Sequence, residues 1–378
     1  MHVIVERPAL ERRVSASLEA GRIPVVLGNC GSGRTSLLLR LESALGRSHA
    51  QYVDLAAAAS TPERCLRVVL GSSHLPASTG LDASSASPRA AFEGLLRYLG
   101  GGSVAQPSAV TFLIDEFLDV RTFESFPGLR HVQRELVDHL AKSPVRYVLA
   151  SRFTSRVHRL LRDASARFEV IHVPSLDVDE VQAMTLRFDG GRRDWASSLA
   201  GPVAALSGGR ASAVNLLLGW LASTGPITDP VAGLAALFSP DGVLTARYRE
   251  CYEFRLHRAR GYGALKAILG VLAESEPLNL TEISQHLQRT PGSTKDYLSW
   301  LEDVDLITSH GKRYTFEDPL LRLYVRLYGR AVPPSDDEIV REVGAFAKAR
   351  LPQMTRQPAA VVAEMAADSV RSGIIEID

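Results

Sequence analysis

Five short, almost continuous apolar runs punctuate the first half of the chain, at residues 23–27, 51–55, 110–114, 146–150 and 168–173. Between them lie longer stretches with apolar residues three and four positions apart. A strand buried on both faces reads as an unbroken apolar run, and an amphipathic helix reads with the longer spacing. The alternation therefore predicts an α/β fold, with a parallel sheet wrapped by crossover helices over residues 1–175. Ser/Gly/Pro-rich stretches at 71–88 and 100–107 read as loops.

After Pro174 the pattern becomes helical. Helices are expected over 179–188, 195–206 and 211–222, forming a small lid at 176–225. A linker with Pro and Gly follows at 225–242, then an arginine-rich helix over 244–260, which closes the linker region 226–262. Residues 263–330 read as helix (264–274), helix (280–288), a Thr290-Pro291-Gly292 turn, helix (293–304) and two strands (306–308 and 313–316) around His310-Gly311-Lys312. That succession predicts a winged helix. The tail, 331–378, predicts two or three amphipathic helices.

Charge changes the picture little. Forty-three basic residues face forty-two acidic ones, so no chain-wide cationic field exists to hold nucleic acid or membrane. The longest apolar stretch, 213–222, is half of what a bilayer requires, and residues 1–13 lack the apolar core of a signal peptide. Three scattered cysteines make no disulfide framework. A cytoplasmic location without membrane contact is expected. Five lysines against thirty-eight arginines describe a chain biased towards arginine.

Chemistry enters at Gly28-Asn29-Cys30-Gly31-Ser32-Gly33-Arg34-Thr35, between an apolar strand and the helix that begins at Ser36. The spacing is that of a phosphate-binding loop, in which glycines let backbone N–H groups converge on phosphate oxygens. Thr35 is placed to offer its hydroxyl to Mg²⁺, and position 34 to bridge the β- and γ-phosphates. Arg34 stands where the motif has lysine. It keeps the charge but spreads it over a larger planar fork, so nucleotide binding is expected to survive better than phosphoryl transfer. Drift in an arginine-rich chain and a deliberately slowed site both account for the change.

The run 110–114 ends in Asp115-Glu116, positioned to hold Mg²⁺ through Asp115 and to polarise an attacking water through Glu116. Ser151 closes the run 146–150 and is a candidate contact to water or γ-phosphate. Arg167 is a candidate finger reaching a neighbour's nucleotide, and Arg210, after Gly208-Gly209, a candidate to close the lid onto phosphate.

Taken in order, these motifs resemble those of AAA+ ATPases, specifically the archaeal-type ATPases of the STAND-like group, with a layout similar to replication initiators. The resemblance spans about residues 1–330. It is carried by Glu6-Arg7-Pro8, the loop 28–35, Leu113-Ile114-Asp115-Glu116, Ser151, Pro174-Ser175-Leu176, Leu206-Ser207-Gly208-Gly209 and the stretch from Tyr314 to Arg322. It implies an ATP- and ADP-dependent switch that uses Mg²⁺, with Arg7 and Pro8 near the adenine pocket. Such proteins often append a nuclease-like domain, but 333–378 shows no carboxylate-rich motif of that kind, and no nuclease is expected.

The expected winged helix, counted over 264–330, holds eight basic and nine acidic residues. Its second long helix offers Lys295 beside Asp296, Glu302 and Asp303, a poor footprint for a phosphate backbone. Lys312 and Arg313, with Arg247, Arg249, Arg255, Arg258 and Arg260 on the preceding helix, are the cations available to DNA. Two functions are therefore expected: a slow ATPase switch whose module packs on the ATPase and regulates it, or binds DNA, a protein partner or another copy of the chain, and alternatively a non-hydrolysing nucleotide-binding protein that acts as a DNA-binding protein or adaptor.

Overall fold

The apolar runs become β1 (Ile23–Leu27), β2 (Ala50–Asp54), β3 (Thr111–Asp115), β4 (Arg146–Ser151) and β5 (Phe168–His172). All neighbours pair in parallel, in the order β2-β3-β4-β1-β5. The structure, a computed structural model, describes residues 6–75, 87–102, 107–188, 193–224, 229–256 and 261–351.

Because successive strand residues point to opposite faces, the sheet feeds two cores. Val26, Leu113, Val148, Ala150 and Ile171 meet Leu10 and Val14 of helix Pro8–Glu19 and Leu37, Leu38 and Leu41 of helix Arg34–Leu45. Val25, Leu27, Phe112, Ile114, Tyr147 and Leu149 face the other way, against helices Pro62–Gly71, Pro88–Leu99 and Val132–Lys142. Each fully buried aliphatic side chain contributes roughly 1.5–3 kcal/mol. The register pairs Leu27 with both Ser151 and His172, so the carboxyl ends of β1, β4 and β5 lie level. That edge carries the chemistry.

Helices Val178–Phe188, Arg193–Ser207 and Ala211–Thr224 follow. The segment expected as linker contains a further helix, Pro230–Leu237. Asp229 caps it by accepting from Val231 N, and proline at the first turn fits a position whose N–H has no helical partner. Helix Val243–Leu256 comes next, and Arg258 and Arg260 lie outside the described residues.

Helices Tyr262–Ser275, Leu280–His286 and Pro291–Asp303 then lead into an antiparallel sheet of order β6-β8-β7, made of β6 (Leu278–Asn279), β7 (Ile307–His310) and β8 (Arg313–Phe316). β6 is only two residues long and leaves no period to read. Gly311 and Lys312, both at positive φ, make the two-residue turn between β7 and β8. Helices Pro319–Tyr328 and Asp336–Arg350 close the described chain, so one of the expected tail helices is seen and 352–378 lie outside it. No helix among the described residues is long and apolar enough to cross a membrane.

Candidate functional site

β1 delivers the chain to the loop 28–33, whose backbone needs glycine at two points. Gly31 (φ 77°) and Gly33 (φ 98°) are left-handed, and a side chain on Gly31 would strike the Ser212 hydroxyl. Ser212 N donates to Gly31 O at 3.0 Å, so the start of helix Ala211–Thr224 rests on the loop. Gly33 caps helix Arg34–Leu45, whose first-turn N–H groups have no partner within the helix.

Across from the loop, Thr35 Oγ1 donates to Asp115 Oδ2 at 2.6 Å, and Tyr52 donates to the same oxygen at 3.1 Å. Arg34 Nη2 donates to Glu116 Oε1 at 2.8 Å, with the two side chains only 7% and 9% exposed. Glu116 Oε2 accepts from Arg152 N at 3.1 Å. Burial pushes the Glu116 carboxyl above its ordinary range, against the opposing pull of Arg34 and Arg152. Its backbone sits at φ 50°, a strained conformation for a residue with a side chain.

Several buried polar atoms here have no protein partner: Arg34 Nε and Nη1, Ser32 Oγ and Asn29 Oδ1. Each such group left unpaired costs about 1–3 kcal/mol. Two guanidinium donors beside the open amides of a helix start match the oxygens of a phosphate. Two cavities flank the loop. One, of about 320 Å³, is lined by Arg7, residues 31–37, Ser212, Asn215 and Arg247. The other, of about 750 Å³, lies among Gly28, Asn29, Ser32, His172, Arg210 and Glu317.

The remaining expected residues divide. Ser151 is fully buried, and its hydroxyl accepts from Phe153 N at 3.1 Å. Arg210 reaches the larger cavity and is paired with Asp318 at 3.0 Å. Arg7 is buried, donating to Pro174 O (2.6 Å) and Ser175 O (3.3 Å) while paired with Glu180. It thereby ties the N-terminal segment to the opening of the lid as well as lining the smaller cavity. Ser36 lines that cavity too, whereas Pro8 is exposed at the start of its helix. Cys30 faces helix Val243–Leu256, where Arg255 Nη2 lies 3.7 Å from its sulfur.

Arg167 is held by carbonyls of its own chain. Its Nη1 donates to Ala141 O (2.6 Å) and Ser143 O (3.0 Å), and its Nε to Gly21 O (3.4 Å). It precedes β5, at the end of the sheet opposite the loop, and its donors are spent on carbonyls of its own chain.

Four contributors escaped the sequence reading. Arg152 braces Glu116 and pairs with Asp119 at 2.7 Å. The one signal for it was a charge directly after a buried strand. Tyr52 was hidden inside β2. Glu317 accepts from Asn29 Nδ2 at 3.3 Å, and Asp318 holds Arg210, so the segment after β8 touches the loop and the lid from far along the chain.

No family model and no curated protein matches this sequence. Among solved structures, the chain is similar to a Walker-type ATPase of Pyrococcus abyssi, with 17% identity and a TM-score of 0.63 over 85% of this chain and 96% of that one. A RuvB of Thermotoga maritima matches at 12% identity and TM-score 0.41, covering 82% and 92% of the two chains. A STAND protein with a tetratricopeptide-repeat sensor from Pyrococcus horikoshii matches at 16% and 0.32, over 98% of this chain and 51% of that one. With the strand order, and a glycine loop leaving β1 towards an acidic β3, the first of these likenesses shows that the chain shares the fold of that Walker-type ATPase.

Proposed function

We propose that the protein is a magnesium-dependent ATP-binding switch that hydrolyses ATP slowly. The observation that carries this reading is the pair of contacts joining the loop to the acidic strand end, Thr35 to Asp115 and Arg34 to Glu116. Thr35 Oγ1 and Asp115 Oδ2 are the oxygen donors for Mg²⁺, which commonly uses one or two protein oxygens together with phosphates and water. When bound, the ion neutralises charge on the β- and γ-phosphates. Arg34 meets the phosphates with its two unpaired nitrogens, Nε and Nη1.

Slow turnover follows from Glu116. Its two oxygens accept from Arg34 and from the Arg152 amide, so it polarises water only after Arg34 turns to phosphate. The switch follows from Arg210 and Asn29, which are held by Asp318 and Glu317. A ligand competing for either side chain loosens the C-terminal module from the loop.

That module has the element order of a winged helix, and its contacts favour regulation over DNA binding. Arg255 is buried and donates to Asp305 O at 2.8 Å. Arg313 is paired with Glu282, and Asp303 of helix Pro291–Asp303 is paired with Arg159 of the core. Fluorescence anisotropy on duplex DNA at two salt concentrations is expected to show only weak binding, and tight salt-sensitive binding would restore the DNA-binding reading.

Steady-state ATP turnover by the wild type and by Arg34→Lys tests the enzymatic claim. We expect slow turnover that rises about tenfold or more in the variant, as a compact ammonium releases Glu116. No turnover by either protein would leave the nucleotide-binding adaptor.

A further inference from the structure

A cavity of about 460 Å³ opens between the α/β core and the C-terminal module, and its polar lining is mostly cationic. Arg121 comes from the 3-10 segment Phe117–Ser125, His131 and Arg134 from the start of helix Val132–Lys142, and Arg156 and Arg159 from helix Thr154–Leu161. The two carboxylates that line it are each taken by an arginine: Glu124 lies 3.6 Å from Arg121, and Asp303 pairs with Arg159 at 2.9 Å. Arg134 and Arg156 have no carboxylate in contact among the described residues. Arg156 is half-buried, its guanidinium 4.9 Å from the centre of the Phe153 ring. Burial and the neighbouring Arg121 push it down to about 10, more than the attraction of Asp303 and Asp305 restores. It stays charged at neutral pH, and an anion relieves such crowding of like charges. The helix start adds to the same field, because His131 gives helix Val132–Lys142 no side-chain cap and its first-turn N–H groups have no partner within the helix.

We propose that this cavity binds a small phosphate monoester carried on an aromatic or heterocyclic ring. Two uncompensated guanidinium groups match a dianion, and the planar fork of arginine meets phosphate oxygens in pairs. A phosphate monoester carries close to two charges at neutral pH, whereas each diester of a nucleic-acid backbone carries one. The apolar part of the lining is Trp300 of helix Pro291–Asp303, half-buried, with Leu118 and Leu160. An indole face takes a flat ring by stacking. The volume is that of a small-molecule site. The cations belong to the core and Trp300 to the module, so the bound ester bridges the two.

Phenyl phosphate is the smallest probe that carries both features, and its calorimetric titration into the full-length protein at about pH 8 tests the proposal. Binding with a Kd of about 1 mM or below is expected. Arg134→Ala, which removes an exposed side chain, and Arg156→Lys, which keeps the charge but not the fork, should each weaken it about fivefold or more. Trp300→Leu should weaken phenyl phosphate by a similar factor and leave inorganic phosphate within about twofold. Phenyl sulfate has the same shape with one charge, and its binding should be weaker by about fivefold or more. Thr35→Ala should stay within about twofold of the wild type, because this cavity is separate from the phosphate loop and does not depend on the function proposed there. The proposal is overturned if phenyl phosphate fails to bind at about 10 mM, or if both arginine variants bind it as the wild type does. Loss of binding in Thr35→Ala alone also overturns it, by placing the ester at the loop. A phosphotyrosyl peptide held more than about tenfold tighter than phenyl phosphate would replace the small molecule with a protein partner.

Discussion

The two ends of the parallel sheet treat their arginines in opposite ways. At the end where the strands begin, Arg167 gives its donors to three backbone carbonyls and is satisfied by the fold. At the end where they finish, Arg34 has one carboxylate partner and two buried donors with none. Folding alone does not favour such an arrangement, since a buried guanidinium is stable only when its charge and hydrogen bonds are met. The contrast teaches where a ligand belongs: the N-terminal end is built for stability and the C-terminal end for an anion.

Arg34→Ala tests this contrast with the largest expected effect. It strands Glu116 in a buried site, and urea denaturation should show a loss of about 3–5 kcal/mol. Thr35→Ala and Asp115→Asn come next. Each removes one side of the 2.6 Å contact, and magnesium-dependent ATP affinity should fall about a hundredfold in calorimetry while the fold persists. Arg167→Ala is the control from the other end. Its stability should drop by about 1–2 kcal/mol with ATP affinity within about twofold of the wild type, and a large loss of affinity would break the comparison.

The smallest effect is a pH dependence. Because the Glu116 carboxyl is held above its ordinary 4.5, the folded chain keeps a proton that the unfolded chain has released once the pH passes 4.5. Its contribution to stability is whole below that pH and is lost as the pH rises through the folded value. Denaturation midpoints of Glu116→Gln, measured against the wild type between about pH 4 and 7, should therefore decline less steeply.

Most of the site was legible because it is local. The loop, Thr35 and Asp115-Glu116 lie at strand ends, where an apolar run stops and chemistry begins, and β1, β3 and β4 announce themselves by being buried on both faces. Helix Pro230–Leu237 was obscured by proline and glycine that read as linker, although Asp229-Pro230 is a good helix start. The contacts of Arg167 were hidden because an exposed arginine and one donating to three carbonyls look alike in sequence. The contacts of Cys30 with Arg255, and of Arg210 with Asp318, depend on how distant segments pack, which no local pattern encodes.

The central claim is that the loop and the acidic strand end together form a magnesium–nucleotide site. Isothermal titration of ATP into reduced full-length protein, with and without Mg²⁺, tests it most directly. The account predicts one site per chain that tightens with magnesium and is lost in Thr35→Ala. Absence of binding under both conditions, or binding indifferent to magnesium and to Thr35→Ala, would contradict it.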